Sequence, residues 1–221
     1  MYDRRTFLQT LAGMTAGILL GDHATGAQLQ GPADRLGGLL PLRDFGATGE
    51  KVTMLGVGGE HLGRGSEARC QGIIEAALAG GVRFFDNAES YHGGVSEQRM
   101  GKFLSKKYRD VAYIMTKTKA KDAKTARKHL EGSLRRLNTE YIDLWQMHAI
   151  QSEGDAEHRI ANEVRDVMLA AQQEGKVRHI GFTGHRVTAA HNRMLELFPE
   201  TQAVQMPVNV ADPSYESFIE N

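Results

Sequence analysis

A chain of 221 residues with 27 basic and 27 acidic side chains can bury a proper core, and it carries no net field to favour nucleic acid or an anionic lipid surface. Its one cysteine, Cys70, excludes an intrachain disulfide and falls in a helical stretch, where it reads as a packing residue. The locally basic stretch from Lys117 to Arg136 reads as the solvated face of an amphipathic helix.

The N-terminus reads as an address. Arg4 and Arg5 precede a short apolar run over 11–20 and a small-residue end at Ala24-Thr25-Gly26-Ala27. This order is expected of a twin-arginine signal over 1–27, with the translocation machinery as partner and the periplasm as destination. The apolar run is too short and Gly-rich for a stable membrane span. Residues 28–41 read as a linker, and 42–221 as the folded domain.

Within that domain, 43–53 reads as a hairpin turning at Gly46-Ala47-Thr48-Gly49. Strands are expected over 54–57, 83–86, 111–116, 141–147, 179–183 and 203–209. Helices are expected between them, over 66–79, 95–105, 123–137, 160–174 and 187–198. Ser66 supplies an N-cap, Gly80-Gly81 and Gly175 supply stops, and Pro199 ends the last helix. Six strands alternating with five helices demand a parallel sheet covered by helices.

Asp86, Tyr91, Lys117 and His148 each fall at or just past the end of a predicted strand. In a (β/α) barrel those ends converge on one face, so the four residues become neighbours. A Tyr with Lys, Asp and His around it suits proton donation to a carbonyl oxygen. Asp86 is expected to keep Lys117 charged, and Lys117 to lower the Tyr91 pKa from about 10. His148 is expected to orient the substrate oxygen or to relay the proton.

The segment Gly81-Val82-Arg83-Phe84-Phe85-Asp86-Asn87-Ala88-Glu89-Ser90-Tyr91, continuing to Ser96-Glu97, resembles the aldo-keto reductase signature. So does Ser133-Leu134-Arg135-Arg136-Leu137-Asn138-Thr139-Glu140-Tyr141-Ile142-Asp143-Leu144, ending at His148. The resemblance covers roughly residues 42–221 and implies a TIM barrel, NADP(H), and reversible reduction of aldehydes or ketones to alcohols. It makes Asp86, Tyr91, Lys117 and His148 the catalytic tetrad. It puts Gly58, Gly59, Asp86, Thr183 and Gln205 on the cofactor side, with Thr183 and Gln205 against the nicotinamide carboxamide. Two positions depart from the family pattern: Gly184 stands where many members have Asn, and Val208 where many have a ring-stacking Tyr.

The family barrel has eight strands and this chain ends after the sixth. The expectation is therefore an incomplete α/β barrel of the TIM type, with an N-terminal β-hairpin cap. The alternative is a truncated, catalytically inactive chain of the same type, acting as a binding module or arising as a defective gene product. A Rossmann reading, from Gly63-x-Gly65-x-x-Ala68 with Asp86 about 20 residues on, fails because the first Gly lies past the strand tip. His185 and His191 are wrongly spaced for one helix face, and no metal-ligand pattern occurs.

Overall fold

The structure, a computed structural model, describes residues 31–208. Its centre is a parallel sheet of six strands: β5 (Gly56–Gly58), β6 (Phe84–Asp86), β7 (Tyr113–Thr118), β8 (Ile142–Ile150), β9 (Val177–Gly184) and β10 (Ala203–Gln205). Each pairs with its neighbours in sequence, so the spatial order equals the chain order. The sheet is curled. Gln205 Nε2, on edge strand β10, donates to Asp86 Oδ2 on β6 at 3.0 Å, across the concave face. Six strands of a TIM-type barrel, with helices outside, match the fold expected from the sequence.

Alternation along the strands separates two cores. Outward residues Phe85, Ile114, Trp145, Met147, Ile180 and Phe182 pack in one cluster with the helices, through Ile74, Leu104, Leu130, Met168 and Met194. Cys70 belongs to that cluster, as its helical context implied. Inward residues Phe84, Tyr113, Met115, Leu144 and Ala203 gather with Phe45 into a smaller cluster. Phe45 lies between β3 (Leu42–Asp44) and β4 (Lys51–Thr53), the expected hairpin. Its ring meets Phe84 and Tyr113 edge-on, at 5.3 and 5.7 Å between centroids. Ala47 N donates to Gln202 O at 2.8 Å, so the hairpin closes the floor.

Helix ends follow local chemistry. α1 (Glu67–Ala79) starts at Ser66, whose hydroxyl accepts from Arg69 N, and α4 (Ala123–Leu137) starts at Asp122, which accepts from Thr125 N. Asn138 ends α4 in the left-handed region at φ 51°.

Five sequence expectations are corrected. Residues 33–38 are not linker: β1 (Ala33–Asp34) and β2 (Gly37–Gly38) form an antiparallel ribbon. It is fastened to the start of β6, because Asp34 pairs with buried Arg83 at 2.5 Å and Leu40 N donates to Gly81 O at 3.1 Å. The helix expected over 95–105 is α2 (Val95–Met100), a π turn (Gly101–Ser105) and α3 (Lys106–Tyr108). The widened turn sits where Gly101 meets the end of α4: a Cβ there would lie 2.2 Å from Arg136 O. The helix expected over 160–174 is two, α5 (Glu153–Ala161) and α6 (Val164–Gln173), broken where Glu163 turns left-handed at φ 61°. The last strand stops at Gln205, and its expected end at Asn209 lies outside the described residues. The first central strand starts two residues later than expected, leaving Met54 and Leu55 exposed. The signal expected over 1–27 also lies outside the described residues. Among the described residues no helix is long and apolar enough to cross a membrane.

Candidate active site

The inward face that is apolar at the floor turns polar at the strand C-termini. Asp86 comes two residues after Phe84, Lys117 two after Met115, His148 four after Leu144, and Gln205 two after Ala203. The period of two therefore puts a polar layer directly above the apolar one. Tyr91 reaches this layer from the turn after β6. Asn87 N and Glu89 N donate to Met115 O and Lys117 O, which extends the β6–β7 ladder past the strand and pins the turn. Left-handed His92, Gly93 and Gly94 then redirect the chain into α2 (Val95–Met100).

Lys117 is the hub. It is 2% exposed, and its ammonium donates to the Asp86 carboxylate, to Asn87 O at 2.8 Å and to the Tyr91 hydroxyl at 3.4 Å. An ammonium has three protons, and here each has an acceptor. Burial pulls the Lys117 pKa below its ordinary value, and Asp86 opposes that pull. Asp86 is engaged through both oxygens, by Lys117 and by Gln205.

Tyr91 departs from the sequence expectation. Its pKa is pushed up to about 12, first by burial, then by Asp86 and Glu60. The Lys117 charge is largely neutralised by Asp86, and its contact with the phenol is long. What Lys117 does instead is orient. By donating to the Tyr91 oxygen, it leaves the phenolic hydrogen free to point elsewhere.

His148 is 5% exposed, and burial, helped by Lys117, Lys119, His185 and Arg159, pushes its pKa down to about 3. It is therefore a neutral imidazole at ordinary pH, able to orient a substrate oxygen but not to serve as an imidazolium relay. Its ring meets Tyr91 edge-on at 5.7 Å. Its Nδ1 is buried without a hydrogen-bond partner among the described residues.

On the other side of the cleft, Thr183 Oγ1 accepts from Ala149 N at 2.8 Å. Ala149 is itself left-handed, at φ 56°, within an irregularity of β8 between Met147 and Ile150. The Thr183 hydroxyl keeps its hydrogen, and Gln205 keeps its carbonyl oxygen, for a ligand. Gly59 lies so close to β6 that a Cβ would sit 2.3 Å from Asp86 O, whereas Gly58 has nothing within 4 Å of that position. Gly184 also has a physical cause: a Cβ there would lie 2.1 Å from His191 Nε2. The histidine fills the space an asparagine would need. Val208 is 70% exposed.

Tyr91, Lys117, His148, Thr183, His185 and Gln205 line a cleft of about 220 Å³. A larger cavity, about 330 Å³, lies at the opposite end of the strands. Among its lining charges Arg83 pairs with Asp34, and both Arg109 and Arg178 pair with Asp143. The sequence did not reveal His185 as a cleft wall, the Asn87 carbonyl as a lysine acceptor, or the Gln205–Asp86 bond. Each depends on the curl of the sheet, although the strand-end position of His185 was a usable signal.

Residues 54–220 match the family model described as the aldo/keto reductase family. The chain belongs to this family. It is 32% identical over 157 residues to L-galactose dehydrogenase from Arabidopsis thaliana, covering 66% of this chain and 49% of that protein. It is 32% identical over 174 residues to the aldo-keto reductase YhdN from Bacillus subtilis, covering 73% of this chain and 48% of that protein. The chain thus spans about half the length of the curated relatives it matches. Among solved structures, an aldo-keto reductase from Bacillus halodurans in its holo form superposes with a TM-score of 0.64 at 24% identity, over 76% of this chain and 58% of that one. One from Brucella melitensis superposes with a TM-score of 0.63 at 23% identity, over 76% and 63%. At these identities the superpositions speak for the fold.

Proposed function

We propose that this protein carries out NADP(H)-dependent, reversible reduction of aldehydes or ketones to alcohols, with Tyr91 as the general acid. The observation that carries the reading is the Lys117 hub. A buried ammonium satisfied by Asp86 and Asn87 donates to the phenol oxygen, so the phenolic hydrogen is available to a carbonyl oxygen in the cleft. The high Tyr91 pKa keeps that hydrogen in place throughout the neutral range. Neutral His148 borders the same space and can donate a second hydrogen bond to the carbonyl oxygen.

The residues on the far side suit a nicotinamide carboxamide. Thr183 can donate to its carbonyl, and the Gln205 carbonyl can accept from its amide. Gly59 admits close backbone approach beside Asp86. NADPH, when bound, supplies the hydride that reduces the carbonyl carbon. Asp86 holds Lys117 and Gln205 in register for both halves of the site.

The proposal includes export by the twin-arginine route, supported by Arg4, Arg5 and the apolar run over 11–20. Folded proteins use that route, which suits a chain that loads its cofactor in the cytoplasm. The direct test of the activity is NADPH oxidation over a panel of aldehydes and ketones. Turnover that needs Tyr91 supports the reading, and no turnover of any carbonyl by a cofactor-binding protein overturns it.

A further inference from the structure

The cleft over Tyr91 and His148 is walled by His185, and the same residue borders a second cavity of about 330 Å³. This cavity is formed by the segments that follow β8 and β9. Ile150 and Val187 give it apolar surface, and Arg186 gives it a cation. Among the described residues no carboxylate lines it. Other arginines near the strand ends are committed, Arg159 to Asp155 and Arg136 to Glu97. Arg186 is exposed and makes no hydrogen bond or ion pair among the described residues. The cavity also lies where α7 (Thr188–Leu197) begins, and its N-cap residue, Val187, has no side-chain acceptor for the first-turn amides. An unpaired guanidinium beside the positive end of a helix suits an anion.

We propose that the substrate is a carbonyl compound with a carboxylate at its far end, and that Arg186 binds this carboxylate in the cavity beyond His185. The inference rests on the reading of Tyr91 and His148 as the carbonyl end of the site. The carbonyl occupies the inner cleft, the spacer passes His185 along Ile150 and Val187, and the anion meets Arg186. The groups suited to a carboxamide, Thr183 and Gln205, face the inner cleft and leave this cavity to the substrate. Arg186 is thus a specificity-determining residue that takes no part in the proton transfer.

The test compares para-formylbenzoate with its methyl ester on the full chain, by titration calorimetry and by steady-state kinetics. The acid is expected to bind more tightly than the ester. Arg186→Met is expected to weaken acid binding on the order of 10- to 100-fold, the worth of a hydrogen bond to a charged group. The acid-over-ester preference in kcat/KM should collapse by the same factor, through KM, and Arg186→Lys should restore part of it. The proposal is overturned if acid and ester bind alike, if neither binds, or if Arg186→Met weakens both equally. Calorimetry keeps the two readings separate. Acid binding that depends on Arg186 without any carbonyl turnover would remove the reductase reading and keep the carboxylate site. Ester turnover with no preference for the acid would do the reverse.

Discussion

Tyr91 accepts from Lys117 and keeps its own hydrogen for the cleft. Replacing it by phenylalanine preserves the ring and removes that hydrogen. Carbonyl reduction by Tyr91→Phe should fall about 10²–10⁴-fold, the usual worth of a positioned acid. Cofactor affinity, read by fluorescence titration, should barely change, and near-normal turnover of the variant would remove Tyr91 from the role. The raised pKa has a directional consequence. Reduction needs the protonated phenol, which persists up to about 12, and oxidation needs the phenolate, which is scarce below that value. The phenolate fraction rises tenfold per pH unit below the pKa, so alcohol oxidation should climb with a slope near one through roughly pH 7–10. Reduction should stay flat there, because His148, neutral above about 3, adds no limb. A plateau in oxidation near pH 8 would mean that Lys117 lowers the phenol pKa once substrates are bound.

Elements whose causes are local were legible in the sequence, and those whose causes are tertiary were not. Ser66 and Gly80-Gly81 mark the ends of α1 by a side-chain acceptor and backbone freedom, and its limits agree to within a residue. The four polar residues at strand ends were readable because a parallel barrel converts strand ends into one face. Three features escaped. α5 (Glu153–Ala161) buries only Ala156 and Arg159, so it has no apolar stripe, though Ser152 was an available cap signal. The β1–β2 ribbon has two residues per strand, one strand being Gly37-Gly38, and its anchor is an ion pair 49 residues away in sequence. The π turn depends on Gly101 touching the α4 backbone. Gly101→Ala would push a methyl group against Arg136 O, and backbone cannot rotate aside. It should cost roughly 1–3 kcal/mol, toward the upper end. Urea denaturation would measure it, and an unchanged midpoint would show that the contact relaxes freely.

At the scale of the whole molecule, the proposed export signal over 1–27 precedes the described residues. Arg4→Lys with Arg5→Lys keeps the charge and alters only the paired guanidinium groups. The double variant should accumulate as precursor in the cytoplasm, seen by cell fractionation, while its purified form keeps the wild-type melting temperature. Unchanged periplasmic delivery would mean another route is in use.

The pairing of each strand with its sequence neighbour also sets an order of assembly during synthesis. A chain leaving the ribosome N-terminus first can lay β7 on β6, then β8 on β7, without waiting for distant segments. Asp86 and Lys117, 31 residues apart, meet early, whereas Gln205 reaches Asp86 across 119 residues and must arrive last. The half of the site built on Asp86 and Lys117 is therefore formed before the half that holds Gln205. Chains stalled after β8 should already protect β6 and β7 amides from hydrogen exchange, and protection appearing only after β10 emerges would contradict this order.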